Sequence, residues 1–183
     1  MGTWILAASA LLLAGWVVYA FNGLVRLRNQ MRSAWADIDV QLTRRHDLVP
    51  QLVAAVKAYA GHEQAVLAAV TELRAEAMRQ TSPAQLGAVE SALEQALSRL
   101  FALQEAYPDL KASDNFLALQ RDLVEVEDHL QYARRFYNGA VRDYNTATER
   151  VPDLLVARAF GFREAEFYQA EAKERAAQRV RLS

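Results

Sequence analysis

The chain has no cysteine, which removes disulfides, thiolate metal sites, a thiol nucleophile and a lipidated cysteine near the N-terminus. Its 183 residues hold only 7 glycines and 4 prolines, too few for the many turns of an all-β domain. Neither sign of charge dominates, with 21 Lys and Arg against 22 Asp and Glu, so the basic face of a nucleic-acid-binding protein is missing. The glycines are widely scattered and no phosphate-cradling loop exists. No charged side chain occurs before Arg26. Apolar residues make up 52% of the composition, a figure swollen by alanine, which favours helix. With an anchor set aside, roughly 160 residues remain, enough for one domain with its own core.

What is present begins with the uncharged stretch 3–21, which includes Trp4, Leu11, Leu12, Leu13, Trp16, Tyr19 and Phe21. As a helix it spans about 28 Å, close to the hydrocarbon thickness of a bilayer. Trp4 marks one end and Trp16, Tyr19 and Phe21 the other, as expected of rings at headgroup level. A cleaved signal peptide needs cations before its apolar run, and Met1-Gly2-Thr3 supplies none. A buried core helix would show a polar stripe, which this segment lacks. The expectation is an uncleaved transmembrane helix. Arg26, Arg28 and Arg32 follow it, which predicts a short external N-terminus and a cytoplasmic body. That assigns the chain to a membrane, with lipid as a partner.

Beyond the anchor, apolar residues recur at three and four, the period of bundled helices. The clearest run is Phe116, Leu119, Leu123, Val126, Leu130, Ala133, Tyr137, Ala140, Tyr144, Ala147 and Val151. A second joins Leu86, Val89, Leu93, Ala96, Leu100, Leu103 and Tyr107. A third joins Val49, Leu52, Val56, Tyr59, Glu63, Val66, Val70, Leu73 and Ala77, broken by one carboxylate. A fourth, less regular, runs Leu24, Leu27, Met31, Trp35, Ile38 and Leu42. No strand-type alternation competes, so the body reads as all-α.

Breakers place the boundaries. Ser82-Pro83 offers an N-cap with proline at the first helical position. Tyr107-Pro108-Asp109 ends one helix, Asp109 or Ser113 can cap the next, and Val151-Pro152-Asp153 ends the long one. Pro50 is ambiguous, because the heptad phase runs unbroken from Ile38 and Leu42 to Val49 and Leu52. It is either a turn or a kink in one long helix. A single helix from Leu24 to Gln80 would be about 84 Å long and hard to cover. Two helices, roughly 22–46 and 48–80, bring four stripes to one centre and are the preferred reading. The expected architecture is therefore an N-terminal transmembrane helix followed by an antiparallel up-and-down four-helix bundle. Its parts are residues 1–23 as external N-terminus and anchor, 24–162 as the bundle, and 163–183 as a charged, solvated helical or flexible tail.

A search for chemistry finds little. Di-metal bundles need Glu-x-x-His pairs, and none of His46, His62 or His129 has a Glu three residues before it. His62-Glu63 opens like a zincin helix, but Val66 stands where the second histidine belongs. The serines lack elbow glycines. No metal, cofactor or catalytic residue is expected. Polar residues near the seams remain: Glu63 at a core position, where an unpaired carboxylate is costly, with Asp37, Asp39, Arg44, Arg45, His46, Asp47, Glu127, Arg134 and Arg135 as candidate partners. Inter-helix ion pairs that set register are the favoured reading, ahead of a partner-binding or proton-handling site.

The order of Phe21-Asn22-Gly23-Leu24-Val25-Arg26, Ala34-Trp35-Ala36-Asp37-Ile38-Asp39 and Arg44-Arg45-His46-Asp47-Leu48-Val49-Pro50 resembles the LemA family. The likeness continues through Tyr59-Ala60-Gly61-His62-Glu63, Tyr107-Pro108-Asp109-Leu110-Lys111, Asn115-Phe116, Ala133-Arg134-Arg135-Phe136-Tyr137-Asn138, Tyr144-Asn145 and Phe160-Gly161-Phe162. Departures are small: Phe21 stands where the family usually has Tyr, and Val151 where Phe is common before Pro152. The resemblance implies one N-terminal transmembrane helix, a short extracytoplasmic N-terminus and a cytoplasmic four-helix bundle in a bacterial inner membrane. It implies no established catalytic residue, and one branch of the family belongs to the magnetosome membrane system. The expected function is a membrane-anchored scaffold or assembly protein, self-associating and acting through protein contacts. The alternative is an accessory subunit or unrecognised enzyme with a polar site around Glu63. Leu154, Leu155, Phe160, Phe162, Phe167 and Tyr168 are expected to lie near lipid or cap the base of the bundle.

Overall fold

The structure, a computed structural model, describes residues 2–168. Among these residues the fold is all-helical, with no strand. The helices are α1 (Gly2–Lys57), α2 (Gln64–Ala77), α3 (Pro83–Ala102), α4 (Pro108–Lys111), α5 (Asp114–Glu149) and α6 (Asp153–Ala159), with a short 3-10 turn at Leu103–Glu105. Among the described residues, contacts divide the chain into two compact units: Gly2–Ala36 with Arg135–Ala165, and Asp37–Arg134 with Glu166–Tyr168.

The preferred reading of Pro50 is overturned: α1 runs through it as one helix of 56 residues. An interior proline removes the bond that its N–H would give to the carbonyl four residues back, here that of His46. Arg74 of α2 supplies the missing donor, its Nε lying 2.7 Å from the His46 oxygen. A tertiary contact thus satisfies the carbonyl that proline orphans, and no turn is needed. The break comes later, beyond Lys57. There Tyr59 and Ala60 both donate to the Val56 carbonyl and the chain turns. At Gly61 a Cβ would stand 3.1 Å from the Lys57 oxygen, so the approach favours glycine.

In the unit from Asp37 to Arg134, one apolar core draws Val49, Leu52 and Val56 from α1, Leu67 and Val70 from α2, and Leu93, Leu97 and Leu100 from α3. Leu110 of α4 and Phe116, Leu119 and Leu123 of α5 complete it. Helices α2 and α3 pack directly on each other. Ser82 stands extended ahead of Pro83 as expected, yet makes no cap bond; its hydroxyl donates to Glu166 at 2.7 Å. Ser113 does cap α5, its Oγ accepting from the Phe116 N–H.

The other unit packs Ala20 and Leu24 of α1 with Tyr144 and Ala147 of α5, Val156 and Ala157 of α6, and Phe162. Phe21 meets the edges of Phe160 and Phe162 at 5.0 and 5.6 Å. Helix α6 ends at Ala159, and Gly161, just past its Phe160 cap, has a φ of 71° that is left-handed and suits glycine. Phe162 N–H donates to the Ala157 carbonyl and Gly161 N–H to that of Arg158, the bond pattern of a Schellman close. The tail expected to be solvated and helical begins differently. Residues 163–168 carry no helix, Asn145 holds the Ala165 backbone by two bonds of 2.9 and 3.0 Å, and Tyr168 is buried. The rest of that expectation lies outside the described residues.

The first part of α1 contains a stretch long and apolar enough to cross a membrane, and almost none of it is covered by protein. Trp4, Leu11, Leu12, Leu13 and Tyr19 are exposed, while Trp16 and Phe21 are partly buried against the Leu24 core.

Candidate functional site

The heptad register explains where charge enters the body. On α1 the buried residues Ile38, Leu42, Arg45, Val49, Leu52 and Val56 alternate at four and three, which places a guanidinium in the seam. On α3 the buried series is Leu86, Glu90, Leu93, Leu97 and Leu100, which places a carboxylate there. Val89, assigned to this stripe from the sequence, is only partly buried, and Glu90 takes its place. Two seam charges of opposite sign on two helices then find each other, as burial demands.

Arg45 is the hub. Its Nη1 donates to Glu90 Oε2 at 3.1 Å, and its Nη2 lies 3.0 Å from Glu127 Oε2. The side chains of Arg45 and Glu90 are 3% and 0% exposed, so water contributes almost nothing to either. His46 Nε2 approaches the other Glu90 oxygen to 2.7 Å. Both oxygens of Glu90 are thereby engaged, one by each of two consecutive α1 residues. Glu127 of α5 bridges onward, with Oε1 3.5 Å from Arg134 Nη1. Glu94 of α3 lies 3.9 Å from the same nitrogen. The Tyr168 ring covers the Arg134 guanidinium, its centroid 5.1 Å from Cζ, a cation–π contact strengthened by burial.

The electrostatics follow the packing. Burial pushes the Tyr168 phenol up to about 12, against the opposing pull of Arg134. Burial alone would lower the pKa of Arg134, but Tyr168, Glu127, Glu94 and Glu90 together hold it above the ordinary guanidinium value. Charge-assisted hydrogen bonds join α1 to α3, ion pairs extend the cluster to α5, and the Tyr168 ring closes over Arg134. Among the described residues, no group of three His, Asp or Glu side chains is placed to hold a metal.

Of the polar residues singled out from the sequence, Arg45, His46, Glu127 and Arg134 meet in this network. Glu63 does not. Helix α1 has already ended, so Glu63 sits partly buried at the start of α2 and is no seam residue. It accepts a 3.0 Å bond from the Tyr107 hydroxyl, a bond that raises the Tyr107 pKa. Asp37, Asp39, Asp47 and Asn115 are exposed, as is Pro50. Arg44 pairs with Glu125 at the surface, and Arg135 is exposed. Trp35 packs on Tyr137, with ring centroids 5.2 Å apart, and Asn138 is partly buried. Tyr144 is buried, which raises its pKa, and Asn145 holds the Ala165 backbone. Arg28 stacks over the Phe162 ring at 5.0 Å, whereas Arg26 and Arg32 are exposed. Glu90, Glu94 and Arg74 are absent from the residues singled out, and Tyr168, expected near lipid or at the base of the bundle, is instead buried on Arg134. For Glu90 a signal existed, since position 90 falls in the α3 register. For Arg74 and for the pairing of Tyr168 with Arg134 there is none, because both depend on which chain segments meet.

Compared with known proteins, the chain matches the family model described as "LemA family" over residues 34–182. It is 25% identical over 175 residues to "Magnetosome protein MamQ 1" of Paramagnetospirillum magneticum, a match covering 81% of this chain and 64% of that protein. The chain thus spans less than two thirds of that relative's length. It is 23% identical over 192 residues to "Magnetosome protein MamQ" of Magnetospirillum gryphiswaldense, covering 89% and 71%. To "Protein LemA" of Metamycoplasma hominis it is 26% identical over 158 residues, covering 84% and 71%.

Proposed function

We propose that this chain, which belongs to the LemA family, is a single-pass protein of the bacterial cytoplasmic membrane that works as a scaffold through protein–protein contacts. The observation that carries this reading is on α1. One helix bears an uncovered apolar stretch at its start and supplies core side chains further along. Anchor and body therefore share one element. Arg26, Arg28 and Arg32 follow the apolar stretch, and cations mark the cytoplasmic flank. The body then lies in the cytoplasm, as an antiparallel up-and-down four-helix bundle of α1, α2, α3 and α5.

The charges at the centre of the body face one another, which suits a structural part better than a reaction centre. Surfaces for contact exist outside it. On α5, Val124, Tyr132 and Phe136 are exposed, outside the stripe that builds the core. Likeness to magnetosome proteins is in keeping with a role in organising a membrane assembly, which is a reading by analogy. The test is the size of the detergent-solubilised full chain by light scattering, combined with pull-down from crosslinked membranes. A multimer, or a recovered protein partner whose capture falls in Tyr132→Ser/Phe136→Ser, is expected. A strict monomer with no partner would refute the scaffold. A C-terminal reporter active only outside the cytoplasm would refute the orientation.

A further inference from the structure

A cavity of about 310 Å³ opens where the apolar stretch of α1 gives way to charge. Tyr19, Asn22 and Arg26 line it from α1, and Arg150 and Asp153 from the junction of α5 and α6. We infer that this cavity is a binding site for the phosphodiester headgroup of an anionic phospholipid. The inference rests on the membrane anchoring proposed above and adds a specific lipid contact to it.

Depth is the first argument. Arg26 follows Phe21 by five residues, about 7.5 Å along a helix axis. The headgroup layer of each leaflet is about 5–7.5 Å thick beyond the hydrocarbon. When the apolar stretch fills the hydrocarbon, Arg26 stands among phosphates. Tyr19, on the rim, is largely exposed, as interfacial tyrosines are.

Chemistry is the second. Arg150 Nη2 donates to Asp153 Oδ2 at 2.6 Å, which cancels one charge and fixes the guanidinium. The two arginines and one aspartate lining the cavity leave a single positive charge, matched to the one negative charge of a phosphodiester. Guanidinium forks bind phosphate oxygens in pairs, and the Asn22 amide adds two donors.

Size and surroundings agree. The volume is at the low end for small-ligand sites, about 300–1,000 Å³, room for a headgroup with its acyl chains outside. Val151 and Leu155, beside Asp153 in the chain, are 76% and 64% exposed. They set apolar surface next to a charged cavity, as an interface between headgroups and hydrocarbon requires.

The experiment is native mass spectrometry of the full chain in detergent, titrated with phosphatidylglycerol and separately with phosphatidylcholine. Two variants probe the site independently. Arg26→Gln removes a cation. Gly23→Leu fills the space, because a Cβ at Gly23 meets nothing within 4 Å and the residue lines the cavity. The exposed Arg121→Gln is the charge-matched control. Expected are retained phosphatidylglycerol on the wild type and the control, and binding weaker by about tenfold or more in both site variants. Unchanged binding in Gly23→Leu, or equal retention of phosphatidylcholine, overturns the proposal. Displacement of phosphatidylglycerol by millimolar inorganic phosphate would make this a free-anion site and overturns the lipid assignment. Recovery in alkali-washed membranes is measured in parallel. A wild-type chain lost from that fraction defeats the anchor itself, whereas one retained without lipid preference defeats only the headgroup site.

Discussion

Substituting Glu90→Leu removes one member of the buried network while keeping a side chain of similar bulk. The Glu90 carboxylate is fully buried and engages Arg45 at 3.1 Å and His46 at 2.7 Å. Without it Arg45 keeps Glu127 at 3.0 Å, so its charge is half compensated. Removing one partner of a buried pair costs about 3–5 kcal/mol, and the remaining contact places Glu90→Leu near the lower end, at about 3 kcal/mol. Arg45→Met is worse, because Glu90, fully buried, then keeps only His46; about 5 kcal/mol is expected. The double variant leaves neither charge stranded, and Glu127 retains Arg134. It should lie within about 2 kcal/mol of wild type, since apolar replacement of a whole buried pair is often neutral. Urea unfolding of the detergent-solubilised chain, followed by circular dichroism, reads all four corners of the cycle. The Glu90→Leu loss corresponds to a Tm lower by about 6–12 °C. Single variants within about 1 kcal/mol of wild type, or losses that add to within about 0.5 kcal/mol, would refute the network as one unit.

Three further outcomes follow from the geometry. Arg74→Ala should cost about 1–3 kcal/mol by orphaning the His46 carbonyl, and markedly less in a Pro50→Ala background, where the helix supplies its own N–H; urea midpoints of the four proteins test the coupling. Tyr168 is held protonated up to about 12 against about 10 when unfolded, so the folded state keeps its proton longer than the unfolded one. Stability is therefore full below pH 10 and falls as pH rises toward 12, by on the order of 2–3 kcal/mol; Tyr168→Phe should flatten that part of a urea-midpoint profile, and an unchanged slope would contradict the burial. Asn145→Ala removes both bonds to the Ala165 backbone, so tryptic cleavage after Arg163 should run several-fold faster than in wild type, measured by gel densitometry.

Much of the site was close to legible. Arg45, His46, Glu127 and Arg134 stand out in the sequence as polar residues near the seams, and the heptad phase of α1 runs through Pro50. Glu63 falls in the seam only if the helix following Pro50 continues past Gly61. Once α1 ends at Lys57, Glu63 leaves the register. The carboxylate that matters is Glu90, hidden because apolar Val89 stands one position away and fits the stripe equally well. Both seam charges, Arg45 and Glu90, lie on the strict three-and-four register of their helices.

The order of residues alone determines the helical class, the uncharged opening stretch and the basic flank behind it, because helix periodicity and transfer of apolar side chains from water act locally along the chain. It also determines that charges must enter the core register on two helices. Which charges meet was decided in three dimensions. Arg45 with Glu90, Arg74 with a carbonyl that Pro50 leaves free, and Tyr168 over Arg134 are pairings between distant segments. Burial makes an unpartnered charge or carbonyl costly, and only the packed structure says which donor arrives to satisfy it.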